Sequence, residues 1–419
     1  MSTPNWYEQN YRYFVVAGSA LMLLVGTGVV YLLVTALKVI AVDFGWPRSI
    51  PSIAYAASYI GAAFGSVAMG FWLDRRGIGG PALLGAVMLG SGAILFSRID
   101  AAWQLFFIYA VMMGFCGIST LYGPTIANII GWFDRGRGLA LGIAASGQAA
   151  AGIIWPPIFR WMIEDRGWRE TAFMYGVFAM LVMLPVSRLI RKRPSAWSGA
   201  VVPSQGAAPA VGPAFSSQPQ ARSAMSARAL QITLCIATVS CCIPMAMPVA
   251  HTVATVTDLG YSFADGANLL AVMLFASTCS RLILIGLLSA RLGALGALCT
   301  FSVLQLIGVG SLALIHTLPA LYLVGIMFGL GYGGLMPCYS LTLREYLPAN
   351  EVGRRTGFIV FFGGLGMATG GWLAGAIFDL TGTYDYAYMV GALSNTANLT
   401  IIGTLILSRY RGYLRPVTA

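Results

Sequence analysis

Apolar segments long enough to cross a bilayer recur along nearly the whole chain, and that recurrence constrains the fold more than any other feature. A hydrocarbon core of about 30 Å takes roughly 20 residues of helix, and twelve segments meet that length: 13–40, 49–73, 80–97, 103–132, 138–163, 171–190, 229–257, 265–290, 294–315, 319–343, 355–379 and 386–408. In lipid every backbone N–H and C=O must be satisfied internally, so such segments must be helices. Only 9% of the 419 residues are charged, against about a quarter in soluble domains. The chain reads as an all-α membrane protein. The polar start Met1–Arg12 is followed by an apolar run too long for a cleavable leader, so the first span is expected to be retained.

The pattern breaks once. Residues Pro194–Ala227 are rich in Pro, Ser, Ala, Gly and Gln and nearly uncharged, which is a flexible linker by composition. It separates six spans from six, giving an N-terminal bundle (1–193), a linker (194–227) and a C-terminal bundle (228–419). The two halves echo each other. Gly70-Phe-Trp-Leu-Asp74-Arg75-Arg76-Gly77 follows the second span, and Gly286-Leu-Leu-Ser-Ala-Arg291-Leu-Gly293 follows the eighth. A second pair of basic tracts, Asp134–Arg137 and Val352–Arg355, falls about one half-chain apart. The expected architecture is therefore two pseudo-symmetric six-helix bundles with a site between them near the membrane midplane. Glycine stripes at Gly61, Gly65 and Gly70, and from Gly363 to Gly375, fit close helix packing.

A formal charge of +11 invites a nucleic-acid reading, but its placement excludes one. Under the twelve-span topology, 18 of the 25 basic residues fall on one set of alternate loops and the chain ends, five on the other set, and two within spans. The positive-inside rule then places both termini in the cytoplasm of a plasma membrane, the inner membrane if the cell is bacterial. The seven cysteines lie within spans, without metal-ligand spacing. No nucleotide-binding loop, nucleophile–base pair or zinc motif is present. No covalent catalysis and no cofactor is expected.

Arg281 is the one arginine deep inside an apolar run, Asn268–Leu288. A cation at membrane depth costs about 2.5–3.5 kcal/mol on insertion scales, so it needs a partner or a task. No Asp or Glu stands within a helical turn of it. An anion that comes and goes is the simplest partner, and a guanidinium grips a carboxylate bidentately. Arg281 can also be read as a structural group bonding backbone carbonyls. Tyr122 and Tyr332 sit in the glycine-rich stretches Gly117–Gly123 and Gly329–Gly334, which leave room beside a phenol. His251 falls within a span, where a histidine can couple proton occupancy to binding or be a neutral group bonded to a carbonyl. Lys38 near the end of the first span can snorkel to the membrane edge or act at a gate.

Gly70, Asp74, Arg75 and Gly77 fit the G-x-x-x-D-R-x-G loop between helices 2 and 3 of the major facilitator superfamily, which the chain resembles over essentially its whole length. Gly131-Trp-Phe-Asp-Arg-Gly-Arg-Gly-Leu-Ala-Leu-Gly-Ile-Ala-Ala-Ser-Gly147, and the stretch from His251 to Asp258 with Arg281 beyond it, narrow the resemblance to bacterial monocarboxylate porters, relatives of the oxalate/formate exchangers. The resemblance implies that Arg281 binds the substrate carboxylate, that Tyr122, Tyr332 and His251 line the site, and that Lys38 takes part in proton exchange. Ser277 stands where many animal members place an Asp, one turn before the arginine. The expected function is secondary transport of small monocarboxylates such as lactate or pyruvate, coupled to protons. Organic-anion exchange and a non-translocating anion sensor are the alternatives. The implied partners are a small organic anion, protons and the lipid bilayer, with no nucleic acid, and a monomer is expected.

Overall fold

The computed structural model of the chain describes residues 6–132, 137–192, 225–347 and 349–411. These are helical almost throughout: α1 (Trp6–Phe44), α2 (Ser49–Arg76), α3 (Gly79–Phe96), α4 (Ala102–Phe107), α5 (Tyr122–Trp132), α6 (Arg137–Leu189), α7 (Ala227–Asp258), α8 (Phe263–Cys279), α9 (Ile285–Leu312), α10 (Leu318–Tyr346), α11 (Ala349–Thr381) and α12 (Asp385–Tyr410). The spans are counted differently from the helices. The fourth span combines α4 and α5 with a π-helical stretch, Ile108–Phe115, and a 3₁₀ turn, Ile118–Thr120, between them. Helix α6 breaks at Gly167 (φ 80°) and α9 at Gly293 (φ 72°), so each covers more than one crossing. Among the described residues ten helical stretches are long and apolar enough to cross a membrane, and two of them, Gly142–Leu189 and Phe263–Leu312, are 48 and 50 residues long and turn at these glycines, so that counting each as two matches the twelve spans expected. The linker read at 194–227 falls mostly on residues outside the described ones, as does most of the tract at Asp134–Arg137. Helix α7 begins at Ala227 behind a Ser226 cap, whose hydroxyl accepts from the Ala229 N–H at 3.1 Å.

The internal repeat is written in the backbone. The six glycines with positive φ among the described residues form three pairs: Gly45 with Gly260, Gly77 with Gly293, and Gly167 with Gly382. Their separations are 215, 216 and 215 residues. Each pair turns the chain at the same loop of its half, where only glycine adopts the left-handed conformation freely. The first pair also shares its hydrogen bonds: Trp46 N–H to Ala41 O at 2.9 Å matches Tyr261 N–H to Val256 O at 3.2 Å. Both are the closing bond of a Schellman turn.

Packing follows the repeat. In the N-terminal bundle α1 and α3 lie against α6, and α2 against the π-helical stretch; in the C-terminal bundle α7 lies against α11, α9 against α12 and α8 against α10. Small residues allow the approach. A Cβ on Gly61 would fall 2.0 Å from Ala110 O, and one on Gly370 would fall 2.1 Å from Ile243 O. The bundles meet along α2 and α11 and along α6 and α8. That seam holds the candidate site.

Candidate functional site

Arg281 sits in a π-helical turn, Ser280–Leu284, between α8 and α9. An inserted residue of this kind advances the side-chain register of the helix, and such turns concentrate at functional positions. The turn is pinned to α10, because Ser280 Oγ donates to Leu330 O at 2.6 Å. A Cβ on Gly333 would stand 2.1 Å from Ser277 O, and one on Gly329 the same distance from Met273 O. The Gly329–Gly334 stretch therefore serves helix packing rather than leaving space beside Tyr332. Gly329 and Gly333 receive α8, while Gly331 and Gly334 receive Gln305 and Phe301 of α9.

The guanidinium of Arg281 makes no ion pair and no hydrogen bond with any described residue, and its Nε is buried. Its neighbours are phenols. Tyr332 of α10 and Tyr31 of α1 both lie within electrostatic range of Arg281 and of each other. Tyr31 belongs to the other bundle. Behind it Tyr59 of α2 interacts with both Tyr31 and Tyr332, and Tyr55 Oη donates to Tyr59 Oη at 3.4 Å. The hydroxyls of Tyr31 and Tyr332 bond to no described residue. Gly152 of α6 makes room for this corner, since a Cβ there would be 2.7 Å from Tyr31 Oη and 2.6 Å from Leu274 Cδ1. One fixed cation and two uncommitted phenols thus converge from both bundles. Such a set can hold one carboxylate, with the guanidinium supplying charge and the phenols supplying donors.

Other residues singled out in the sequence lie elsewhere. Ser277 is buried one turn before Arg281, on the same helix. Tyr122 opens α5, but its side chain is outside the described ones, as is that of Asp74. Arg75 is exposed at the end of α2, and Gly77 closes that helix with its N–H on Leu73 O at 2.7 Å. His251, fully buried in α7, bonds Gly371 O through Nε2 at 2.8 Å and Tyr384 Oη through Nδ1 at 3.1 Å. A carbonyl can only accept, so Nε2 carries the proton, and neutral Nδ1 accepts from the Tyr384 hydroxyl. His251 is thereby tied to a second cluster.

That cluster closes the bundle face distal to the chain ends. Lys38 Nζ lies 2.7 Å from Asp258 Oδ1 and 3.0 Å from Thr257 Oγ1. Arg48 binds the same carboxylate through both terminal nitrogens, with Nη2 at 2.7 Å from Oδ1. Arg48 also donates to Tyr384 Oη at 3.1 Å and lies over the Phe378 ring at 4.0 Å, a cation–π contact. Asp379 accepts the backbone N–H groups of Arg48 and Ser49 at 2.7 and 2.8 Å. Every one of these contacts joins the N-terminal bundle to the C-terminal one, so the distal face is shut. Tyr31, Arg48, Asp379 and Tyr384 were not singled out in the sequence. Their signal is the repeat itself, taken up below.

Comparison with known proteins agrees with this architecture. The description of the Major Facilitator Superfamily matches residues 19–370 and 232–416. An MFS-type transporter, pynF, of Aspergillus niger is 26% identical over 83% of this chain and 76% of its own. Monocarboxylate transporter 13 of Rattus norvegicus is 24% identical over 85% of this chain and 79% of its own. Among solved structures, a mutant form of the nucleoside transporter NupG superposes with a TM-score of 0.70 at 12% identity, covering 94% of this chain and 99% of that one.

Proposed function

We propose that this chain, which belongs to the major facilitator superfamily, carries small monocarboxylates of the lactate or pyruvate kind across the membrane by alternating access, with Arg281 holding the carboxylate. The observation that carries the reading is that the Arg281 guanidinium has no partner among the described residues and lies within electrostatic range of phenols from both bundles. A lone cation at this depth is unfavourable, and a single fixed cation suits one carboxylate rather than two. Relatives named monocarboxylate transporters, at 24–30% identity, support the same class. The asymmetry of basic loops supports cytoplasmic chain ends in a plasma membrane. The closed distal face then corresponds to a site that discharges inward.

Proton coupling is assigned to the His251–Tyr384–Arg48 chain. A second proton on His251 would occupy the nitrogen that accepts from Tyr384, break that bond, and loosen a contact between α7 and α12 at the closed face. His251→Ala is expected to flatten the pH dependence of transport, because it removes the nitrogen whose protonation would break the Tyr384 bond. An initial-rate profile that keeps its shape would remove His251 from the scheme. Exchange is the second reading, and Ser277 favours it: no carboxylate one turn away is present to accompany Arg281 on the return stroke. Uptake of labelled L-lactate into proteoliposomes separates the two. Uptake driven by an inward proton gradient into unloaded vesicles means symport. Uptake only against preloaded lactate means exchange, and uptake in neither case overturns the substrate class.

Tyr31 gives a narrower test. Loss of one hydrogen bond to a charged group is worth about 1.5–3 kcal/mol, so Tyr31→Phe is expected to raise the half-saturation concentration roughly ten- to hundredfold. Tyr109→Phe, also buried in the N-terminal bundle but bonded to Val29 O, is expected to change it little. Equal effects of the two substitutions, read from concentration-dependent uptake, would remove Tyr31 from the site.

A further inference from the structure

We propose that Asp379 locks the distal face shut by capping, from the opposite bundle, the N-terminus of α2. The first amides of a helix have no partner within it and are ordinarily met by a side chain of the preceding residue. At α2 that residue is Arg48, which offers no capping hydrogen bond. Its place is taken by a carboxylate 331 residues along the chain. Asp379 Oδ1 accepts from Arg48 N–H at 2.7 Å and Oδ2 from Ser49 N–H at 2.8 Å. The negative charge also lies at the positive end of the α2 dipole. Gly375 permits the approach, because a Cβ there would stand 2.3 Å from Ser52 Oγ and 3.0 Å from Arg48 O.

The repeat explains how the carboxylate became available. The 215-residue offset of the glycine pairs aligns Asp379 with Glu164 and Gly375 with Arg160. In the N-terminal bundle these residues pair within α6, Arg160 Nη1 to Glu164 Oε2 at 2.9 Å. In the C-terminal bundle glycine stands at the position matching the cation, so Asp379 has no arginine one turn before it, and the space beside Gly375 receives α2. The same offset aligns Asp258 with Asp43, and Tyr384 with Arg169. Asp43 accepts from Trp168 Nε1 at 3.1 Å and lies 4.0 Å from Arg169, all inside its bundle. Asp258, facing a tyrosine instead of an arginine, takes Arg48 and Lys38 from the other bundle. Two carboxylates that brace their own bundle in the first half thus correspond by position to two that make cross-bundle contacts in the second.

The consequence is a bias that does not depend on substrate. Opening the distal face separates Asp379 from α2 and leaves the helix start to water. The energetic difference is that of a lost cap, which corresponds to a two- to thirtyfold change in an equilibrium. The test measures conformation without ligand. Spin labels are placed at Asp100 and Leu314, exposed on distal loops of opposite bundles, in a background whose seven cysteines are replaced and which retains transport. Double electron–electron resonance then reads the distance distribution. Asp379→Ala is expected to raise the population of the longer, distal-open distance two- to thirtyfold, and Asp379→Asn, which keeps one acceptor oxygen, by less. Glu164→Ala removes the aligned carboxylate from its own-helix pair and should leave the distribution unchanged. An unaltered distribution in monodisperse Asp379→Ala overturns the lock, as does an equal shift in Glu164→Ala. If the alanine variant fails to fold, the asparagine variant decides by the same criterion. The measurement is made without substrate, so its failure would leave the transport reading untouched.

Discussion

Arg281→Ala is expected to reduce uptake by about thirty- to several thousandfold while leaving a protein at least as stable as the parent. The two halves of this expectation come from one observation, that the guanidinium has no partner among the described residues. Removing one member of a buried charge pair costs about 2–5 kcal/mol of binding, and here the second member is the substrate. A structural arginine would do the opposite on stability, because its removal would orphan the carbonyls it served. Without such partners, removing Arg281 relieves the cost of holding a cation at membrane depth. Arg281→Lys keeps the charge and loses the planar fork, so weak uptake at a raised half-saturation concentration is expected. Uptake in proteoliposomes and thermal unfolding in detergent check both halves. Near-normal uptake by the alanine variant would sink the assignment, and a marked fall in melting temperature would return Arg281 to a structural role.

Much of this architecture can be read from hydropathy and loop chemistry. The spans are apolar on nearly all sides, and a lipid-immersed segment has only one way to satisfy its backbone. Gly77 and Gly293 close matching loops for the reason their motif suggests, a left-handed turn that only glycine makes easily. Of the residues grouped at the candidate site, Arg281 and Tyr332 were named from the sequence and Tyr31 was not. Arg281 stands out because its cost is local, a property of one residue in one apolar run. Tyr332 was named through the family resemblance and its glycine-rich stretch, and Tyr31 has no such mark. Tyr31 is one of nineteen tyrosines, and its place beside Arg281 depends on the packing of α1 against the other bundle. The π-helical turn that aims Arg281 leaves no mark in the spacing of apolar residues, since every face of that span is apolar. His251 is buried within a span as read, yet its bonds run to Tyr384 and Gly371, a consequence of how α7 meets α11 and α12. Arg48 reads as one of a few loop cations, and only the carboxylate 210 residues away gives it a role. Alignment of the halves at the glycine offset would have exposed it. Asp43 keeps an arginine in its own half, whereas Asp258 has a tyrosine at the matching position and must look across.

That broken symmetry makes Asp258 the most consequential residue of the distal face. Asp258→Ala removes the carboxylate to which Lys38 and Arg48 of the other bundle are both paired, so two attractions that exist only in the closed state are lost. The three side chains are 11–29% exposed, so the interaction falls between the surface and buried limits, about 1–3 kcal/mol. The distal-closed state is expected to lose five- to 150-fold in population relative to the distal-open one. Transport then splits in a way that simple damage does not. Substrate presented from the distal side binds with a lower half-saturation concentration, because the competent state is more populated. Maximal uptake falls, because the return through the closed state is disfavoured. The double substitution Arg48→Asp with Asp258→Arg restores opposite charges across the seam. Partial recovery of maximal uptake is therefore expected from the pair and not from either single change. Concentration-dependent uptake by the three variants makes a double-mutant cycle, and a coupling indistinguishable from zero would mean that the ion pair seen across the bundles does not govern closure. A coupling of the expected size would place the gating free energy in contacts that lie between the bundles where their counterparts in the first half lie within one, whichever anion Arg281 carries.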